Sequence, residues 1–231
     1  MPVSEWQSRE AALIGEKNIE KLASSSVLIF GAGGVGSYAI EALARAGIGK
    51  ITVVDGDIVA ESNINRQLIA DTTTIGRKKA ETAVERIRKI NPLCQAEAIC
   101  EFADNNNTEN IISAAVPDYI IDAIDCVATK LLIAVYASEN HIPLIASMGT
   151  GNKLKPSLLE ISDISKTSVC PLARVMRREL RNRGIYHLPV LFSREQPIKT
   201  GMRTPASISF VPSVGGLLIA GYVIRNILKI D

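Results

Sequence analysis

A glycine-rich turn between a predicted strand and a predicted helix constrains this chain more than any other feature. Residues 27–30 are apolar and two of them are β-branched, which is typical of a buried strand. The letters GAGGVG follow at positions 31–36, and residues 37–46 then have the pattern of an apolar helix. Glycine allows a tight turn and lets backbone N–H groups approach a phosphate at the positive end of that helix. The turn therefore predicts a nucleotide site beside Gly31, Gly33, Gly34 and Gly36.

An acidic residue ends the next predicted strand. Residues 51–54 form a second apolar run, and Asp55 follows it, about 20 residues after the glycines. A carboxylate at this position can hold the ribose hydroxyls of a nucleotide. Dinucleotide and ATP sites share this arrangement, so the turn and the acid together leave the identity of the nucleotide open.

Short apolar strands alternate with helices along most of the chain. This alternation predicts a Rossmann-like α/β fold, with a mainly parallel sheet, helices on both faces and right-handed crossovers. We predict one domain over residues 1–231, made of a helical arm (1–25), a nucleotide-binding core (26–148) and a C-terminal extension (149–231). The predicted core strands are residues 27–30, 51–54, 95–99, 119–123 and 143–146. The predicted helices are residues 6–22 in the arm, 37–46, a segment opening at 75–80 and ending at 91–92, 109–115 and 127–140.

The pattern changes after residue 149. Residues 158–161, 188–192 and 207–211 are predicted to be short strands of an antiparallel extension, and residues 171–183 to be a helix. Residues 210–224 carry no charge, but this run of about 15 residues is interrupted by proline and glycine, whereas a membrane span needs ~20. We therefore expect a buried helix there and no association with a membrane.

Charge and cysteine content limit the classes of function. Lys and Arg number 26 against 24 Asp and Glu, a net charge of +2, so a polyanionic partner would have to bind a local cluster. The four cysteines form no C-x-x-C pair, and the first residues lack a basic region followed by an apolar run. These features predict a cytoplasmic protein without zinc.

One such local cluster lies in the extension. The predicted helix at 171–183 carries five arginines against a single acid, Glu179, and the loop at 196–205 adds two cations. On the residues alone, a solvated helix face and a phosphate-binding surface fit this cluster equally well. The candidates for binding phosphates of a nucleic acid are Arg174, Arg177, Arg178, Arg181, Lys199 and Arg203.

Several motifs together resemble one family of enzymes. They are the glycine turn at 31–36, DGD at 55–57, SNINRQ at 62–67, Lys79 and DAID at 122–125. The combination is similar to the ubiquitin-activating-enzyme superfamily of ATP-dependent adenylating enzymes, which includes the bacterial ThiF and MoeB proteins. The runs at 35–37, 41–49, 86–92 and 170–174 further resemble the tRNA threonylcarbamoyladenosine dehydratase branch of that superfamily.

The resemblance implies a role for each motif. ATP would bind on the glycine turn with its ribose at Asp55, and Mg²⁺ would be held by Asp125. An arginine of the arm, Arg9, would enter the partner subunit's site in a homodimer. The implied catalytic residues are Arg66, Lys79, Asp125 and Arg9, and the implied nucleotide contacts are Asp57, Asn63 and Gln67 beside Asp55 and the glycines.

Each of these residues also has a purely structural interpretation. Asp125 alone fits an N-cap of the helix that follows it, and Lys79 or Arg66 alone fits a solvated surface residue. Their occurrence together with Asn63 and Gln67, at the family's spacings, favours the functional interpretation.

Three functions remain open on the sequence alone. The branch implies a ligase-type enzyme that adenylates the threonyl carboxylate of threonylcarbamoyladenosine in tRNA and then closes a ring with loss of water. The superfamily also implies an alternative, adenylation of the C-terminal glycine of a small ubiquitin-like sulfur-carrier protein, with a carrier or sulfur donor as partner. The third is an NAD-binding protein without adenylation. No cysteine follows Cys170 where thioester-forming relatives place one, which favours direct cyclisation.

Overall fold

The computed structural model describes residues 4–202 and 204–230. The strands are β1 (Ser26–Phe30), β2 (Lys50–Val54), β3 (Gln95–Ile99), β4 (Tyr119–Asp122), β5 (Leu144–Ser147), β6 (Leu159–Asp163) and β7 (Pro189–Ser193). The helices are α1 (Ser8–Ile14), α2 (Glu16–Ala23), α3 (Gly36–Arg45), α4 (Lys79–Ile90), α5 (Thr108–Ala115), α6 (Val127–Glu139), α7 (Pro171–Arg181) and α8 (Phe210–Leu228).

The strands form one sheet of order β3-β2-β1-β4-β5-β7-β6. All neighbours are parallel except β6 and β7, which are antiparallel. The predicted class, a mainly parallel sheet with an antiparallel C-terminal extension, is confirmed. Because β7 pairs with β5, strands from the predicted core and extension share this sheet. Strand order reverses between β1 and β4, which is where open α/β sheets bind ligands.

Helices cover both faces of the sheet, and β1 shows why. Its side chains alternate between two buried clusters, since successive residues of a strand point to opposite faces. Val27 and Ile29 pack with α3, α4 and α8, whereas Leu28 and Phe30 pack with α5, α6 and α7. The near-continuous apolar run at 27–30 is therefore explained by burial on both sides.

Three predictions of local structure were wrong in detail. The arm is two helices, because Gly15 adopts φ 85° between α1 and α2. α4 begins at Lys79, after the predicted opening, because Gly76 has a positive φ of 85° and the N-cap residue Lys78 is extended, with ψ 130°. Residues 207–211 form no strand; the segment leads directly into α8, whose Gly216 lies so close to α3 that an added Cβ would be 2.3 Å from the carbonyl oxygen of Val35.

The apolar run of the extension forms the helix α8, as predicted, but a longer one. It spans 19 residues with a mean hydropathy of 1.5, so its length and composition alone would allow it to cross a membrane. Half of that stretch is buried within the fold, where Ile219, Ala220 and Val223 pack into the core. This is the position of a core helix.

Candidate functional site

A cavity of about 500 Å³ opens at the carboxyl ends of the parallel strands. Its walls come from the segments that follow β1, β2, β3, β4 and β5, together with the segment that precedes α8. The structure brings together the predicted residues Gly31, Gly33, Gly34, Asp55, Asp57, Asn63, Arg66, Gln67, Lys79 and Asp125 around it. Residues distant in sequence thus meet because parallel strands all end at one edge.

The glycines of the turn differ in function: Gly31 and Gly33 lie at the cavity, whereas Gly36 allows close packing. Gly31 has φ 93°, and an added Cβ would be 2.9 Å from the carbonyl oxygen of Ala123, so a side chain is excluded there. Gly33 faces open space, with Gln67 Nε2 at 3.9 Å from the position of an added Cβ. Gly36 differs from the prediction, since it does not line the cavity. Its added Cβ would be 1.8 Å from the carbonyl oxygen of Gly31, so it permits close packing of the turn on α3.

The carboxylate of Asp55 holds the turn as well as facing the cavity. Oδ2 accepts a hydrogen bond from Ala32 N at 2.7 Å, and Oδ1 accepts one from Asp57 N at 2.9 Å. A carboxylate offers about four acceptor positions, so both oxygens retain capacity for ribose hydroxyls. Asp55 therefore fixes the shape of the site and remains able to bind the ligand.

The SNINRQ segment supplies amide and guanidinium groups. The buried Asn63 accepts from Ala60 N through Oδ1 at 3.1 Å. Gln67 is also buried, and its Oε1 has no hydrogen-bond partner among the described residues. A buried acceptor without a donor carries a desolvation cost, which a ligand donor such as a ribose hydroxyl would offset. Arg66 lines the same wall, with NH1 donating to Ser62 O at 2.9 Å.

Lys79 is held at the cavity by an acid. Its side chain is only 7% exposed, and Nζ lies 2.8 Å from Asp57 Oδ2. Its backbone N–H, the first of α4, donates to the carbonyl oxygen of Asp57 at 3.0 Å. Lys79 is therefore no freely solvated helix residue, and its ammonium keeps donors beyond the one directed at Asp57.

Asp125 follows β4 at the rim of the cavity and is exposed. It does not cap α6, because the N-cap is Cys126. Cys126 also lines the cavity, and hydrogen bonding from the backbone and side chain of Thr129 lowers the pKa of its thiol. Burial opposes that shift, and so does the neighbouring charge of Asp125.

A buried ion pair supports this loop from below. Asp122 Oδ2 lies 2.9 Å from Lys130 Nζ, and both side chains are almost fully buried. Lys130 Nζ also donates to the carbonyl oxygens of Ile124 at 3.1 Å and Ser147 at 2.9 Å. Burial raises the pKa of Asp122, and the Lys130 charge counteracts that rise. Lys130 thus ties the Asp125 loop to the end of β5.

The far wall of the cavity is formed by the segment after β5 together with Thr204, Pro205 and Ser207. These three residues belong to the connection between β7 and α8, described at residues 194–202 and 204–209, which we call the strap. Gly151 contacts the strap so closely that an added Cβ would be 2.7 Å from Pro205 Cβ. Asn152 makes three hydrogen bonds to the strap. Its N–H donates to Ala206 O at 2.8 Å, its Oδ1 accepts from Ala206 N at 2.7 Å, and its carbonyl oxygen accepts from Ile198 N at 2.8 Å. Behind this wall the buried Lys153 donates to Gly149 O at 2.5 Å, and burial lowers its pKa.

Arg9 lies on α1 and is exposed, away from the cavity of its own chain. The residues just before it, Trp6 and Gln7, contact Gly47 after the far end of α3. Because α3 begins at the glycine turn and runs away from it, the arm lies at the opposite end of that helix from the site.

The structure separates the candidates for nucleic-acid binding. Arg177 is committed to the protein, since NH1 donates to the carbonyl oxygen and hydroxyl of Thr167 at 2.8 and 2.6 Å. Arg178 pairs with Glu179 at 3.0 Å. Arg174 and Arg181 are exposed and have no charged partner among the described residues, and Lys199 is exposed on the strap. Arg203 lies outside the described residues.

Sequence reasoning missed three features of the site. Phe102, 68% exposed, lines the cavity and lies against Gly56, where an added Cβ would be 2.7 Å from Cγ of its ring. Cys126 was visible as the neighbour of Asp125, but nothing in the sequence indicated its hydrogen bonds. The strap was predicted as a basic loop and a strand, and its place in the wall had no sequence signal.

Comparison with known proteins places this arrangement in a class. The chain belongs to the ThiF family, whose model matches residues 7–231. It is 40% identical over 240 residues to the tRNA threonylcarbamoyladenosine dehydratase of Bacillus subtilis (strain 168), a match covering 96% of this chain and 94% of that protein. The protein of the same name from Escherichia coli (strain K12) is 40% identical over 180 residues, covering 77% of this chain and 67% of that protein.

Solved structures are similar over nearly the whole chain. The E. coli tRNA N6-threonylcarbamoyladenosine dehydratase in complex with AMP matches with a TM-score of 0.92 at 33% identity, covering 99% of this chain and 98% of that one. The complex of that protein with ATP matches with a TM-score of 0.91 at the same identity and coverage. The resemblance to the ThiF-type superfamily and its dehydratase branch is confirmed.

Proposed function

We propose that this chain is an ATP-dependent tRNA threonylcarbamoyladenosine dehydratase. It adenylates the threonyl carboxylate of the modified nucleoside and closes a ring with release of AMP. The observation that carries the proposal is the likeness to relatives of that name over almost the full length of both chains. The cavity adds the required groups, since acceptors for a nucleoside, such as Asp55 and Gln67, line it together with the cations Arg66 and Lys79.

The first step is attack of the threonyl carboxylate on the α-phosphorus of ATP, with pyrophosphate as leaving group. The nucleophile is already an anion, so no general base is needed, but two like charges about 4 Å apart repel by roughly 4 kcal/mol at an effective dielectric constant of 20. Arg66 and Lys79 offset that repulsion and stabilise the charge on the leaving group. Positioning of the two anions is therefore the main task of the site.

The second step closes the ring. A carbamoyl nitrogen or oxygen of the same modification attacks the activated carbonyl carbon, the bond to the phosphate oxygen breaks, and AMP leaves with the former carboxylate oxygen. A proton is released from the carbamoyl group. The balance is loss of one water from the nucleoside and conversion of ATP to AMP and pyrophosphate.

Asp125 fits a Mg²⁺ site that ATP completes. Within residues 4–202 and 204–230, no group of three or more His, Cys, Asp or Glu side chains could hold a metal ion by itself. Mg²⁺ is commonly bound through one or two carboxylates together with substrate phosphates and water, which suits a single exposed carboxylate at the rim. When bound, the ion would neutralise charge on the phosphates.

We propose that tRNA lies along α7 and the strap. Arg174 and Arg181 support this because their charges are free, and Arg178 adds to them because its pairing with Glu179 is exposed to solvent. Arg177 is excluded from the set by its contacts to Thr167. Replacing Arg174, Arg178 and Arg181 by Gln should flatten the log–log salt dependence of tRNA affinity by about two to three units. An unchanged slope would contradict this surface.

We further propose that residues 1–231 act as one adenylation unit in a cytoplasmic homodimer, with Arg9 entering the partner's cavity. Two observations support the dimer: Arg9 lies far from its own cavity, and α8 exposes Phe210, Leu217 and Leu218. Mixing the Arg9→Ala and Arg66→Ala variants tests it, because a mixed dimer contains one site with both residues intact. Regained activity is expected, and none would be regained by monomers.

Exchange of labelled pyrophosphate into ATP tests the function. We expect exchange that depends on tRNA carrying threonylcarbamoyladenosine and is lost in Arg66→Ala and Asp125→Ala, whereas Arg45→Ala, remote from the cavity, retains it. Exchange that depends instead on a small carrier protein would favour the alternative acceptor. Micromolar binding of NAD without binding of ATP in calorimetry would refute adenylation altogether.

A further inference from the structure

Asn65 connects two walls of the cavity without lining it. Its Oδ1 accepts a hydrogen bond from Arg66 NH1 at 2.8 Å, and its Nδ2 donates to the carbonyl oxygen of Ser207 at 3.1 Å. Arg66 belongs to the predicted phosphate-binding segment and Ser207 to the strap, and both line the cavity. One side chain therefore joins the phosphate-binding segment to the strap, and its contact with Ser207 spans 142 residues of sequence.

The two partners fix the orientation of the Asn65 amide. Rotating the amide by half a turn would direct Nδ2 at the guanidinium, a donor against a donor, and Oδ1 at a carbonyl oxygen, an acceptor against an acceptor. Only one orientation satisfies both neighbours. The contacts to Arg66 and to the strap therefore form together.

Asn65 also determines which edge of Arg66 is free. NH1 uses its two hydrogens on Ser62 O and Asn65 Oδ1. Neither Nε nor NH2 has a partner among the described residues. The Nε–NH2 edge is a fork that can donate to two phosphate oxygens side by side. The guanidinium is thus held by NH1, with the fork left for a ligand.

We propose that Asn65 is a positioning residue with two tasks. Its amide oxygen orients the Nε–NH2 edge of Arg66 toward the phosphates, and its amide nitrogen holds the strap, which lies on the acceptor side. This inference rests on the proposed function, because it assigns the two walls to ATP and to the acceptor. The other hydrogen bonds of Arg66 and of the strap involve different groups. Ser62 contacts only NH1 of Arg66. Asn152 holds the strap at Ile198 and Ala206, and the Glu195 carboxylate of the strap accepts from the backbone at 154 and 155, so none of these bonds involves Ser207.

The first experiment measures how firmly the strap is held when no ligand is bound. Hydrogen exchange of the amides of Ile198 and Ala206, both bonded to Asn152, is compared in wild type, Asn65→Ala and Asn65→Asp. Both substitutions remove the donor to Ser207, so exchange should be about threefold faster, as expected for one partly solvated hydrogen bond. Asn110→Asp, an exposed position on α5, introduces the same charge away from the cavity and should leave exchange unchanged.

The second experiment separates the two bonds by kinetics at saturating ATP. Asn65→Ala loses both bonds, so kcat should fall and the KM for modified tRNA should rise, each by about threefold. Asn65→Asp keeps an acceptor for Arg66 and loses only the donor to the strap. It should restore kcat to near the wild-type value while the KM for modified tRNA stays raised.

Either of two results would overturn the inference: wild-type exchange of the strap in both Asn65 variants, or a kcat in Asn65→Asp as low as in Asn65→Ala. A wild-type protein that does not turn over modified tRNA would refute the proposed function instead. In that case the exchange experiment alone still decides whether Asn65 holds the strap.

Discussion

Replacing Lys130 by Met removes the positive member of the buried pair beneath the site. The apolar chain of Met is similar in length and fills most of the same space, so the change mainly removes charge and hydrogen bonds. The Asp122 carboxylate is left without its counter-charge in a fully buried position. The carbonyl oxygens of Ile124 and Ser147 lose their donor as well.

The expected cost follows from burial. Removing one partner of a buried ion pair costs about 3–5 kcal/mol, because the other charge is left uncompensated. In a chain of this size, 1 kcal/mol corresponds to roughly 2–4 °C in Tm, so Lys130→Met should melt about 6–20 °C lower. Because Lys130 holds the Ile124 carbonyl next to Asp125, adenylation should fall even at temperatures where the variant is folded.

Denaturant unfolding of a double-mutant cycle measures this directly. Asp122→Asn keeps an Oδ1 acceptor for Ile124 N, and combined with Lys130→Met it leaves no buried charge. The double variant should therefore recover at least about 2 kcal/mol relative to the sum of the single effects. Additive single effects, or a loss below about 1 kcal/mol in Lys130→Met, would refute the reasoning.

The pH dependence of the free energy of unfolding provides an independent test, because its sign follows from the direction of the Asp122 pKa shift. Burial raises the folded-state pKa of Asp122, and without Lys130 only the hydrogen bond from Ile124 N still opposes that rise. A raised carboxyl pKa stabilises the folded state fully below the unfolded value of about 3.9 and loses that stabilisation as pH rises through the folded pKa. The free energy of unfolding of Lys130→Met should therefore be only slightly below that of wild type near pH 4, and the difference should be largest at neutral pH. A deficit that grows on acidification would contradict the assignment.

Three further predictions concern cysteine and glycine. Iodoacetamide at neutral pH should modify Cys126 faster than Cys100, whose thiol pKa is raised by burial, and ATP should protect Cys126; peptide mass spectrometry measures both, and equal rates would contradict the environment described. Gly36→Ala should weaken ATP binding in calorimetry by more than about tenfold, a loss of over 1.4 kcal/mol, because its Cβ would be 1.8 Å from Gly31 O. Unchanged affinity would exclude that packing role. Gly221→Ala in α8, with open space around the added Cβ, should raise stability by about 0.5–1 kcal/mol in thermal unfolding, and a lower stability would indicate a contact at that face.

The alternation of strands and helices could be predicted because burial on both faces leaves continuous apolar runs such as β1. The same alternation predicts a mainly parallel sheet with right-handed crossovers, but it does not give the order in which the strands pair. The strand predicted at 207–211 failed because its apolar pattern suits a helix start equally well. What decides between them is the close approach of Gly216 to Val35, a long-range contact that periodicity cannot show.

The candidate site was predictable where the motif residue itself faces the cavity, as Arg66 and Lys79 do. Residues that act through others had no such signal. Lys130 has the sequence surroundings of an ordinary helix residue, and only the register of β1 with β4 and β4 with β5 places its ammonium between Asp122 and Ser147. Asn65 is similar, because its significance depends on a strap that follows β7. The residues that face the cavity can therefore be recognised from a short sequence motif. The residues that hold them in place cannot, because their contacts depend on strand pairing that exists only in the assembled sheet.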